Sequence, residues 1–221
     1  MIFFFNEDCI SGARNHLSDD SIDLIVTDPP YGIEGGTLHK HYNRNEAMVL
    51  GGYVEIPLED YGDFSLRWIK EAERVLRPGG SLYIVSGYTN LIHILAALRQ
   101  TSLTEVKPKG PVTFNTECRF GRDEKSPVGR SLNYRDREDV WIINREFQPG
   151  AMKNKNQLPS ALLEKIIRYS SNENDLVCDF FLGSFSTAKV ALSLERRSTG
   201  FEINKTAFDF QIKEMEKCLF S

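Results

Sequence analysis

Residues suited to chemistry stand at three places where an apolar run gives way to a turn. The first is Asp28-Pro29-Pro30-Tyr31, directly after Ile22–Thr27. Two consecutive prolines fix two φ angles and remove two amide donors, so this turn is stiff. It offers two acceptors, the Asp28 carboxylate and the Pro29 carbonyl, beside an aromatic ring. An exocyclic NH2 on a flat ring needs that set: two acceptors for two N–H bonds, and a face for stacking. As a bare tetrapeptide the same residues also suit a rigid strand-to-helix turn. The second place is Asp179-Phe180-Phe181-Leu182-Gly183-Ser184, which leaves another apolar run, with Ser186 and Thr187 opening a helix. Gly183 lets a ligand come close to the backbone, and small hydroxyl residues suit a helix N-terminus. The third is Glu202 in Gly200-Phe201-Glu202-Ile203-Asn204, 19 positions after Gly183. An acid ~20 residues beyond a glycine turn is where nucleotide-binding folds grip ribose hydroxyls.

The elements that must position these residues follow from periodicity. Apolar runs predict strands at Ile22–Thr27, Ser81–Ser86, Asp175–Asp179 and Ser198–Glu202. Helical spacing predicts Leu58–Leu76, stopped by Arg77-Pro78-Gly79-Gly80, then Tyr88–Arg99, Ser160–Arg168, Ser186–Leu194 and Lys205–Cys218. Residues 32–57 are polar and Gly-rich and read as a long loop. Residues 101–147 carry short alternating segments broken by Pro, Gly and charge. Strands alternating with helices imply an α/β fold whose sheet is mostly parallel. Such sheets bind ligands outside the carboxyl ends of their strands, where all three turns fall.

At 221 residues the chain reads as one domain, or one with a modest insertion, and 41% hydrophobic with 26% charged is ordinary for a globular protein. No run approaches the ~20 apolar residues that span a bilayer, and the short apolar start lacks the basic leader of a secretion signal. Cys9, Cys118, Cys178 and Cys218 are scattered, which points to a reducing cytoplasm rather than a disulfide framework or zinc ribbon. His16 and His93 read as structural, and no metal constellation is expected. The formal net charge is −4, yet residues 107–137 hold eight basic and four acidic side chains. A basic island on an acidic body suits a local phosphate-binding surface.

Taken in order, these motifs resemble the β class of S-adenosylmethionine-dependent DNA amino-methyltransferases, a circularly permuted group. In that family an Asp-Pro-Pro-Tyr motif comes first, then a target-recognition region, then a Phe-x-Gly cofactor motif. Here the order is Asp28–Tyr31, residues 101–153 and Phe181-Leu182-Gly183. Gln157-Leu158-Pro159 resembles the family's Gln-Lys-Pro, and Asp8-Cys9 its adenine-binding Asp. The resemblance implies a Rossmann-like fold with a mostly parallel sheet, one antiparallel strand and a small recognition insertion. Residues 1–221 would form one catalytic domain, with 101–153 and the 32–57 loop as its recognition region.

The implied activity is methylation of the exocyclic amine of adenine in DNA, by direct in-line transfer to a flipped base. Asp28, Pro29, Pro30 and Tyr31 would be catalytic. S-adenosylmethionine, with no metal, would meet Asp8, Cys9, Asp28, Gln157, Pro159, Asp179, Phe180, Phe181, Gly183, Ser184, Ser186, Thr187, Glu202, Ile203 and Asn204. Arg119, Arg122, Lys125, Arg130, Arg135 and Arg137, with His39 and His41, would contact double-stranded DNA. The resemblance also allows a homodimer and a cognate restriction enzyme, and no membrane. A carbon-methylating cytosine enzyme is set aside, because such enzymes attack with a Cys that follows Pro, and none of the four does. Two residues depart from the family: Leu158 replaces its Lys, and Phe185 its second glycine. A Phe at that turn could narrow the pocket, shift the ligand or point into the core. Transfer to the cytosine amine, an RNA substrate, or a degenerate fold acting as a non-catalytic DNA-binding subunit are the alternatives.

Overall fold

A computed structural model describes residues 3–32, 56–87, 90–103, 143 and 157–219. Five strands among them form one sheet: β1 (Phe3–Phe5), β2 (Ile22–Thr27), β3 (Leu76–Ile84), β4 (Leu176–Asp179) and β5 (Arg197–Phe201). Their spatial order is β1-β5-β4-β2-β3, and every neighbouring pair is parallel. The helices are α1 (Cys9–His16), α2 (Leu58–Val75), α3 (Leu91–Leu98), α4 (Ser160–Ser170), α5 (Ser186–Ser193) and α6 (Lys205–Leu219). The expected antiparallel strand is not among the described strands, and the 101–153 insertion lies almost wholly outside the described residues.

Alternation along the strands builds two cores. In β2, Ile25 faces one side with Cys178 of β4, while Leu24 and Val26 face the other with Val177. The first side is covered by α1, α2 and α3. Tyr61, Trp68, Ile69, Ala72 and Val75 recur at helical spacing along α2 and are fully buried. The second side is covered by α4 through Leu163, Ile166 and Ile167, and by α5 through Ala191. A third cluster joins α5 and α6 to Phe4 of β1. The result is three layers, with helices on both faces of a parallel sheet.

Two elements went unread in the sequence. β1 is only three residues long and sits at a sheet edge, beside β5. α1 contains Ser11, Gly12 and Asn15, poor helix formers, and depends on its cap: Asp8 Oδ1 accepts from the amides of Ile10 and Ser11, both at 3.1 Å. Its other end is held by Arg74 of α2, whose guanidinium donates to the carbonyls of Ala13 and Leu17 at 2.9 and 3.0 Å. β3 also starts earlier than the expected Ser81. Leu76 already pairs with Ile22, and the register then jumps to Leu24–Ser81. Gly79 takes a left-handed φ of 81° within that irregular stretch, and Arg77 bonds Asp23 across it.

Phe185 points into the core. It is fully buried among Leu182, Ala188 and Met215, edge-on to Phe4 at 5.0 Å and to Phe208 at 5.9 Å. Its φ of 59° is left-handed, the conformation a glycine takes without cost. An L side chain there costs about 1–2 kcal/mol, and burial of the ring offsets it. Phe185→Ala should therefore destabilise by about 3–5 kcal/mol, the usual range for emptying a buried Phe site. Phe185→Gly, relieved of the backbone cost, should lose no more than the Ala variant. Urea denaturation checks both; a loss below about 1 kcal/mol in each would show that the ring anchors nothing.

Candidate active site

All three chemistry-bearing turns lie at the carboxyl ends of adjacent strands. Read along that edge, β1 exits into Asn6–Asp8, β5 into Glu202–Asn204, β4 into Asp179–Gly183, and β2 into Asp28–Tyr31. Four strands span about 14 Å at ~4.8 Å per step, so the turns form one continuous row along the sheet edge.

The Asp28 carboxyl is set deep enough that lost hydration pushes it up from 3.8 to about 7. The Tyr31 hydroxyl opposes this shift by donating to Asp28 Oδ1 at 2.6 Å, and the nearby Asp179 carboxylate adds to it. Pro29 is buried and Pro30 half-buried. The turn is held from behind by Asn90, whose side-chain amide donates to the carbonyls of Tyr31 and Gly32. An N–H arriving at Asp28 Oδ1 has to compete with the Tyr31 hydroxyl.

The glycine turn is organised by Asp179, which is buried. Its Oδ1 accepts from Thr27 Oγ1 at 2.9 Å and from the Phe181 amide at 3.0 Å, and its carboxyl also takes a bond from Thr187. Burial pushes this group up, and those bonds hold it down. Gly200 lies directly beside the turn in β5, where a Cβ would strike the Asp179 carbonyl and Leu182. Any side chain at 200 would therefore push β5 away from the glycine turn. Ser184 and Ser186 share a hydroxyl–hydroxyl bond of 2.6 Å. The Ser184 carbonyl accepts from Lys189 at 3.0 Å.

Glu202 bridges the next gap. Oε2 accepts from the Gly183 amide at 2.9 Å and Oε1 from the Asn204 amide at 2.7 Å. Burial raises its pKa, and these two amides oppose the rise. Asn6 ties β1 to β5, donating from Nδ2 to the carbonyl of Glu202 at 2.7 Å and of Ile203 at 3.3 Å. Ile203, next in the chain to Glu202, is an apolar side chain 55% exposed at this edge.

Several expected site residues have structural duties. Asp8 caps α1, and Asn204 Oδ1 caps α6 by accepting from Thr206 and Ala207. Phe180 is in the core against Trp68 and Phe201, which leaves only its backbone for a ligand, and Cys9 is buried in the same cluster. Phe181 is half-buried, edge-on to Trp68 at 5.6 Å. Leu158 packs on the α4 core, so its departure from the family's Lys is absorbed by packing. Gln157 and Pro159 are half-buried at the start of α4. Arg119, Arg122, Lys125, Arg130, Arg135, Arg137, His39 and His41 lie outside the described residues. Among the described residues no group of His, Cys, Asp and Glu could hold a metal ion. Asn6 and Asn90 are additions that the sequence reading missed. Their partners are backbone carbonyls, which leave no motif.

A family model described as DNA methylase matches residues 22–117 and 106–214. The chain is 31% identical over 233 residues to the Type II methyltransferase M.HpaI of Haemophilus parainfluenzae, covering 87% of this chain and 68% of that protein. Among solved structures it is similar to the M1.HpyAVI–SAM complex, with a TM-score of 0.55 at 23% identity, covering 97% and 100% of the two chains. It is also similar to the PvuII DNA methyltransferase, described as cytosine-N4-specific, with a TM-score of 0.59 at 16% identity and 91% and 81% coverage. These structures share the Rossmann-like α/β fold seen here.

The raised Asp28 pKa makes a stability prediction. The folded protein holds this proton between about pH 4 and 7, whereas the unfolded chain has lost it. Stability from this group is thus complete below about 4 and falls as pH rises through 7. Asp28→Asn, which keeps an acceptor for Tyr31, should match the parent near pH 4 and exceed it by about 1–3 kcal/mol at pH 8. Denaturation at the two pH values measures this; equal stability at pH 8 contradicts the raised pKa.

Proposed function

This chain belongs to the DNA methylase family, and we propose that it transfers a methyl group from S-adenosylmethionine to the exocyclic amine of adenine in double-stranded DNA. The observation that carries the reading is the order of strand ends. The family resemblance gives Asp8 to the adenine, Glu202 to the ribose, Phe181 and Gly183 to the methionine, and Asp28 to the accepting amine. Those residues follow one another along the sheet edge in that sequence, through β1, β5, β4 and β2. The site suits such a ligand: an exposed Ile203 for a flat ring, an acid beside it, and a glycine turn. The inward turn of Phe185 removes the main argument for a degenerate subunit.

When bound, S-adenosylmethionine supplies a methyl group on a positively charged sulfur. The protein's part is positioning and proton handling. The Asp28 carboxylate and the Pro29 carbonyl accept the two N–H bonds of the base, which favours a pyramidal nitrogen with its lone pair directed out of the ring. Tyr31 stacks on the base once it is flipped from the duplex, an extrusion that costs a few kcal/mol. The Tyr31 hydroxyl surrenders its bond to Asp28 as the amine arrives. A carboxyl with a pKa near 7 is a better proton acceptor than an ordinary one, so Asp28 takes the proton released when the new C–N bond forms.

The basic island of residues 107–137 would supply the phosphate contacts, and the chain would recognise its site with residues 101–153 and 32–57. A homodimer and a cognate restriction enzyme belong to the same reading, as does a cytoplasmic setting. Asp at the first motif position leans toward adenine. A second reading, transfer to cytosine N4, draws on the likeness to the PvuII enzyme.

Labelled S-adenosylmethionine and mixed-sequence duplex DNA test the proposal, with base analysis of the product. The expected product is N6-methyladenine, with kcat/KM rising about tenfold per pH unit up to about 7. Asp28→Ala should abolish transfer while S-adenosylmethionine binding stays within about threefold, and Glu202→Ala should chiefly weaken that binding. N4-methylcytosine would select the second reading, and duplex binding without transfer would select the non-catalytic subunit.

A further inference from the structure

We infer that Asn90 is a positioning residue for this reaction, holding the backbone that carries Tyr31. The inference rests on the proposed function, in which Asp28 and Tyr31 receive the base. Asn90 stands just before α3, 59 residues from Tyr31, and is 7% exposed. Its Nδ2 donates to the Tyr31 carbonyl and, at 3.2 Å, to the Gly32 carbonyl. An amide NH2 carries two protons, so two carbonyls satisfy it.

Asn is among the residues best suited to cap a helix with its side chain. Here the side chain makes no cap bond to α3, and the Asn90 carbonyl joins the helix by accepting from the His93 amide at 3.1 Å. A cap would use Oδ1 as an acceptor, whereas the bonds Asn90 makes come from Nδ2 and run to the catalytic turn.

The turn is gripped from the other side as well. Gly32 has a left-handed φ of 62°, and a Cβ there would lie 2.7 Å from the Tyr61 ring. Tyr61 is fully buried on α2, and His93 of α3 meets its ring edge-on at 5.7 Å. The peptide after Tyr31 is therefore clamped between an amide and an aromatic face. With its backbone fixed, Tyr31 reaches Asp28 at 2.6 Å and holds its ring at a set distance from the carboxylate. Without Asn90, two carbonyls lose their donor and the ring is free to drift. A displacement of about 1 Å at a reacting centre can cost ~100-fold in rate.

The test compares the full chain with Asn90→Ala, Asn90→Ser, Tyr31→Ala and the Asn90→Ala/Tyr31→Ala pair. Asn90→Ala should lower kcat on duplex DNA by about 10- to 100-fold and leave the Kd for S-adenosylmethionine within about twofold. Asn90→Ser, which keeps one donor and packs with less loss, should recover part of the rate and stands in if the Ala variant does not fold. The double variant should be no more than about twofold slower than Tyr31→Ala, because Asn90 acts through Tyr31. The carbonyl carbon NMR shifts of Tyr31 and Gly32, which lose their donor, should move in Asn90→Ala. An unchanged kcat, additive losses in the double variant, or unmoved carbonyl shifts each overturns the inference. Parent protein that transfers no methyl group refutes the proposed function instead, and the carbonyl shifts then decide whether Asn90 holds the turn.

Discussion

The 2.9 Å bond from Thr27 Oγ1 to Asp179 Oδ1 joins two turns that are 152 residues apart in the chain. Both partners are buried, so neither can exchange the bond for water without opening the sheet. The same carboxyl also orders the glycine turn through Phe181 and Thr187, so one group ties the end of β2 to the glycine turn. A buried carboxylate is costly unless its lone pairs are satisfied, and here three donors meet it. Its proximity is part of what lifts Asp28 toward neutrality. Burial is the main cause of that rise, and the Asp179 charge adds to it.

Similar stitches continue on either side. Asn6 binds β1 to the end of β5, Glu202 binds β5 to the glycine turn, and Asn90 binds the exit of β2 to the start of α3. Each joins neighbouring segments at this edge through a side chain, where the backbone ladder has run out. A parallel sheet makes this possible, since all its carboxyl ends open on one side. Residues from positions 6 to 204 then form a single ordered row.

Much of this was legible from the residues. β2 falls at Ile22–Thr27 as its apolar run and the prolines predict, and α2, α4, α5 and α6 follow their periodicity closely. What was not legible has physical causes. β1 is too short for a pattern, and α1 relies on a capping carboxylate that also resembles a ligand contact. Phe185 left three orientations open, because φ cannot be read from one residue and the space behind it depends on α6 and β1. Asn6 and Asn90 were invisible because their carbonyl partners are fixed only by the fold. Pro78-Gly79-Gly80 reads as a stop, yet β3 runs through it with a jump in register.

The proposed function requires one methyl donor to lie across four strand ends with its sulfur toward Asp28. A crystal structure of the chain with S-adenosylhomocysteine tests this most directly. The expected result places the adenine between Asp8 and Ile203, the ribose at Glu202 and the sulfur between Gly183 and Asp28. A ligand lying in the reverse direction, or seated away from this edge, refutes the proposed function.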